Sequence, residues 1–103
     1  MAITSLEAFL ASLEADSPPA TIGPHLQALW LARRGDWDGA HRIVQELDDS
    51  AAARIHAWLH RVEGDRWNSE YWHRRAGTTF PDHLSEEAEW EMLVELLIDR
   101  SDS

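Results

Sequence analysis

Two histidines, His56 and His60, stand four residues apart in RIHAWLHRVEGDRWNSEYWHRRAG (residues 54–77), and Glu63 follows three residues later. On a helix this spacing puts all three on one face, roughly 115° around from an apolar stripe of Ile55, Trp58, Leu59 and Val62. Two imidazoles and a carboxylate on one face could ligate Zn²⁺ or another first-row metal ion. The H-E-x-x-H pattern of zinc proteases is absent, because positions 57–59 are Ala, Trp and Leu. The same spacing suits histidines at the edge of a core that hydrogen-bond to neighbouring helices, or a pair that moves protons.

Two further histidines could complete such a set. His41 could approach from an adjacent helix, and His73 falls at a position expected to face inward, either hydrogen-bonded in the interior or aimed into a cavity. A histidine set could also ligate a haem iron. With no C-x-x-C-H in the chain, that haem would be non-covalent. His25 and His83 read as solvated. After the histidine pair come two mixed stripes, Trp67, Tyr71 and Arg74, and Asn68, Trp72 and Arg75, each at i, i+4, i+7. Each lines up an aromatic ring with a guanidinium, an arrangement suited to holding a carboxylate or phosphate. Facing His56, His60 and Glu63, these residues would make a polar pocket for a small molecule. The alternative is a Trp packed in the core, with the arginines paired to Glu63, Asp65 or Glu70.

Other chemistries have less to work with. There is no Cys, which excludes disulfides, thiolate ligands and thiol nucleophiles. Ser and Thr show no nucleophile elbow, and Gly is too sparse for a phosphate loop. The net charge of −10 disfavours nucleic acid and anionic membranes as partners, although residues 54–75 are locally rich in Arg. The stretch MAITSLEAFLASLEAD carries acids and no Lys or Arg, so it does not read as a signal peptide, and no apolar run reaches membrane-spanning length. These features predict a soluble, cytoplasmic protein.

Six helices must position the candidate residues. A T-x-x-E box at Thr4 and Glu7 opens a helix over about 5–15 with Leu6, Phe9, Leu10 and Leu13 on one face. Pro24 begins a second helix, carrying Leu26, Leu29 and Trp30 and ending near Gly35. Asp36 caps a third, with Trp37, Ala40, Ile43, Val44 and Leu47. The DDS at 48–50 caps a fourth, which ends at Gly64. Asp65 caps a fifth, which stops at Gly77. The sixth runs over about 86–99 with Trp90, Leu93, Val94, Leu97 and Ile98 in phase. Trp30 and Trp37 read as core or hairpin contacts, and the acidic runs EADS and EEAEWE as solvated faces. At 103 residues, 44% of them hydrophobic, the chain predicts one all-α domain over 1–103.

An internal repeat refines this picture. HLQALWLARRGDWDGAHRIVQEL (25–47) superposes on RIHAWLHRVEGDRWNSEYWHRRA (54–76) with an offset of 29. Leu26 falls on Ile55, Leu29 on Trp58, Gly35-Asp36 on Gly64-Asp65, Ala40 on Ser69, Ile43 on Trp72 and Val44 on His73. Each unit reads as helix, Gly-Asp turn, helix. Residues 24–77 thus resemble the tetratricopeptide-repeat family. The resemblance implies two stacked antiparallel helical hairpins capped by the N- and C-terminal helices, and a protein or peptide partner held in a groove. The string HAWLHRVEGDRWNSEYWHRRAG is also similar to one found in a set of short bacterial proteins of unassigned function.

Two functions are therefore expected. The first is a small helical-repeat module that binds a protein or peptide, with a homodimer as one form because six Trp are hard to bury in one small core. The second is a protein that binds a small molecule, metal ion or haem, or an enzyme, with its pocket between the fourth and fifth helices. That pocket would use His56, His60, Glu63, Asn68, Tyr71, Trp72, Arg74 and Arg75, and His56, His60, His41 and His73 would be its metal ligands.

Overall fold

The structure, a computed structural model, describes residues 4–101. Six helices form in chain order: α1 (Leu6–Ser12), α2 (Pro24–Arg33), α3 (Trp37–Val44), α4 (Ser50–Val62), α5 (Arg66–Ala76) and α6 (Glu86–Ser101). The fold is all-α, with no strand among the described residues.

The repeat units become two hairpins, α2–α3 and α4–α5, with the same turn chemistry. Gly35 and Gly64 adopt φ of +90° and +85°, a conformation that favours glycine. The next residue's N–H reaches back in the same way in both units, Asp36 N to Leu31 O at 2.8 Å and Asp65 N to His60 O at 2.9 Å. The two aspartates then cap α3 and α5, accepting from Gly39 N and Asn68 N. In the second hairpin His56 lies against Trp72 and Ala57 against Ser69, so sequence order reverses across the pair and the helices run antiparallel. Ala40 and its counterpart Ser69 are both fully buried, and Ser69 donates to Ala57 O at 2.7 Å. A small residue at this point lets the paired helices approach closely.

α4 sits at the centre, touching α2, α3, α5 and α6, while α1 packs on α6. The shared core holds Phe9, Leu26, Leu29, Trp30, Val44, Ile55, Trp58, Leu59, Trp90, Leu93 and Val94. Tryptophan N–H groups tie these elements together. Trp30 donates to Ser12 Oγ at 3.1 Å, Trp37 to Leu59 O at 2.7 Å, Trp58 to Glu86 O at 2.8 Å and Trp90 to Leu29 O at 3.0 Å. Trp67 alone is well exposed, at 70%. A single chain thus covers most of its indole surface while meeting the N–H demand of each deeply buried ring.

Several local expectations change. Ser5, not Thr4, caps α1, because its hydroxyl accepts from Ala8 N at 3.1 Å. α1 ends at Ser12, whose hydroxyl bonds back to Phe9 O at 2.6 Å. Val62 is turned outward at the end of α4 and is 42% exposed. Glu89, placed by the sequence pattern on a solvated acidic face, is completely buried. No helix among the described residues is long and apolar enough to cross a membrane.

Candidate functional site

Three histidines from two helices meet between the hairpins. α4 supplies His56 and His60 one turn apart, and α3 supplies His41, held by its own neighbour. Trp37, one turn before His41, stacks on it with centroids 4.8 Å apart and 9° between planes. The bond from Trp37 Nε1 to Leu59 O then fixes that turn of α3 against α4. His56 and His60 lie parallel, with centroids 5.2 Å apart and 10° between planes, and Trp72 covers His56 at 3.8 Å. His41 stands across both α4 rings, at 86° to His56 and 80° to His60. The site is therefore a wedge of imidazole between two tryptophan walls.

His41 Nε2 and His56 Nε2 are 2.9 Å apart, close enough that one ring donates its N–H to the other's lone pair. Burial, with His41, His60 and Arg75 nearby, pushes His56 down to a pKa of about 4. His41 is also lowered, by burial first and then by His60, against the raising pull of Glu63 and Asp38. Both rings are neutral at pH 7, the protonation state a metal ion requires. His60 Nδ1 lies 2.6 Å from Glu63 Oε1, so its N–H points at the carboxylate.

One ligand atom from each of His41, His56 and His60 falls within 4.8 Å of the others. In a tetrahedral site with metal–nitrogen bonds near 2 Å the nitrogens lie about 3.3 Å apart, so ring shifts on the order of 1 Å would close this set on an ion. His60, Glu63 and Asp65 form a second group within the same limit. There Asp65 already accepts from Asn68 N at 3.2 Å and from Asn68 Nδ2 at 2.6 Å as the cap of α5, and Glu63 is occupied with His60.

The other sequence candidates divide among separate places. Trp72 and Arg75 join His56 in lining a cleft of about 320 Å³ between the C-terminal end of α3, the first turns of α4 and the last turns of α5. Asn68 is used in the α5 cap. Tyr71 faces outward beside Trp67, with centroids 6.4 Å apart. Arg74 lines a different cleft, on the other side of α5, together with His73 and Thr78. His73 does not join the other three rings. It is buried, as its alignment with Val44 suggests, and bonds to Thr78 Oγ1 through Nδ1 at 2.8 Å and to Glu89 Oε2 through Nε2 at 3.1 Å. The second oxygen of Glu89 takes Arg61 Nη1 at 2.9 Å, which closes a buried network across α4, α5 and α6.

Glu89 is the residue the sequence reading missed. Its signal was the spacing 89, 93, 97, an inward stripe hidden by acidic neighbours. His25, expected to be solvated, pairs with Asp49 at 2.9 Å, whereas His83 is exposed.

Comparison with protein-family models, curated proteins and solved structures finds no match to this chain.

Proposed function

We propose that this protein binds a divalent transition-metal ion through His41, His56 and His60. The observation that supports this is the convergence of three imidazoles from two helices, with two neutral rings already 2.9 Å apart. Imidazole nitrogens suit Zn²⁺, Cu²⁺ and Ni²⁺ better than the hard cations Mg²⁺ and Ca²⁺. Glu63 orients His60 from behind, as carboxylates do for metal-bound histidines. A haem is a poorer fit, because His56 Nε2 already meets His41 Nε2 at 2.9 Å, which leaves no space for a macrocycle at either nitrogen.

The test is metal titration of protein purified without a histidine tag, followed by elemental analysis. Copper binding should also quench tryptophan fluorescence, since Trp37 and Trp72 stack on two of the ligands. The expected result is one equivalent bound, with affinity reduced more than about 100-fold in His41→Ala or His56→Ala and unchanged in His83→Ala. Stoichiometry far below one, or equal binding by His56→Ala, overturns the reading.

A second reading, a module for a protein or peptide partner, is favoured by the ridge of Trp67 and Tyr71 on the outer face of α5. A large exposed aromatic beside another is an economical contact surface. Light scattering tests the version in which the partner is a second copy of the chain. A mass of twice 11.8 kDa that Trp67→Ala halves would support it, and a monomer at all concentrations would overturn it.

A further inference from the structure

We infer that the metal ion keeps one coordination position open and takes a small monoanion there, a carboxylate or a bicarbonate-like ion that enters through the cleft bounded by His56, Trp72 and Arg75. This rests on the metal reading above and adds to it the class of molecule the site acts on.

The first support is ligand number and charge. Among the described residues, the group around His41 and His56 contains three ligand atoms, all imidazole nitrogens. A first-row divalent ion prefers at least four ligands, and protein sites that supply three leave a position for an exogenous one. Three neutral ligands put no anion in the ion's own coordination shell, and Glu63, engaged with His60 Nδ1, offsets part of the charge only from outside it. An anion is the partner that such a centre favours.

Access is the second support. Of the three histidines His56 alone also lines the cleft of about 320 Å³, a volume at the lower end of small-molecule sites and ample for an ion of a few heavy atoms. Arg75 lies on the same wall, exposed and stacked over Trp72 with its guanidinium carbon 5.1 Å from the ring centroid. Among the described residues it makes no ion pair, and its one hydrogen bond, to Tyr71 Oη, is long at 3.4 Å. It is therefore available to draw in and hold a negative guest. Asp48 and Asp49 also line the cleft, with Asp49 occupied by Ala52 N and His25. Two carboxylates there oppose added negative charge in proportion to its amount, so a monoanion is the anion least disfavoured.

Cobalt substitution tests this with defined probes. Co²⁺ would be added to the metal-free protein, and the visible spectrum followed while acetate, bicarbonate and azide are titrated separately. The expected result is a saturable change in the cobalt bands with each anion. In Arg75→Gln, acetate should bind about five-fold more weakly while Co²⁺ binds as before. Cobalt bands that no anion alters overturn the open position and leave the metal reading standing. Equal acetate affinity in Arg75→Gln overturns entry through the cleft. No cobalt bands at all overturn both readings.

Discussion

Glu63 accepts from His60 Nδ1 at 2.6 Å, and this one contact sets the tautomer of a proposed ligand. Glu63→Gln keeps the size but removes the charge that favours an N–H at Nδ1. Metal affinity should fall by about 10- to 100-fold, measured by calorimetric titration, without loss of the fold. His56 makes a prediction of another kind. Its pKa is about 4 in the folded chain against 6.5 in the unfolded one, so between these values the unfolded state binds the extra proton. The neutral ring costs the fold nothing above pH 6.5. Stability should decline as pH falls from 6.5 to 4 and draw no further loss from this residue below that. After discounting for solvent screening the loss is roughly 2 kcal/mol. Urea titrations of the metal-free protein at several pH values should show this slope, and His56→Gln should reduce it.

The helices are held in register by buried polar contacts as much as by apolar packing. Glu89 on α6 joins Arg61 on α4 to His73 on α5, with both of its oxygens engaged and no surface exposed. Glu89→Ala would leave a guanidinium and an imidazole without their buried partner. The expected cost is about 3–5 kcal/mol in chemical denaturation, with Glu89→Gln less severe. Metal binding should survive this change in any protein that stays folded, because the network lies on the opposite side of α5 from the His56 cleft. Caps and turns were legible beforehand: Asp36, Asp65 and the glycines depend only on residues within a few positions. Glu89 was not, since its place in an acidic run put it on the solvated face, and only the arrival of Arg61 and His73 makes its burial tolerable.

Taken as a whole, the histidine cluster links the two hairpins, because His41 lies on α3 and His56 and His60 lie on α4. A bound ion would tie these units together and stabilise only the folded chain. At 100 times the dissociation constant the gain is about 2.7 kcal/mol, which should raise the melting temperature by roughly 10 °C for a domain of this size. A calorimetric scan with and without Zn²⁺ checks this, and a chelator should reverse the shift. Residue order alone carried the helical content, the two repeated turns and the shared face of His56, His60 and Glu63, because these follow from the pitch of one helix and the chemistry of its ends. It did not carry the choice of third histidine. His41 and His73 were equal candidates in one dimension, and the docking of Trp37 on Leu59 brought one to the cluster while Glu89 drew the other into the core. Contacts between helices depend on how several side chains fill a common space, so membership of the cluster was settled only when the hairpins packed.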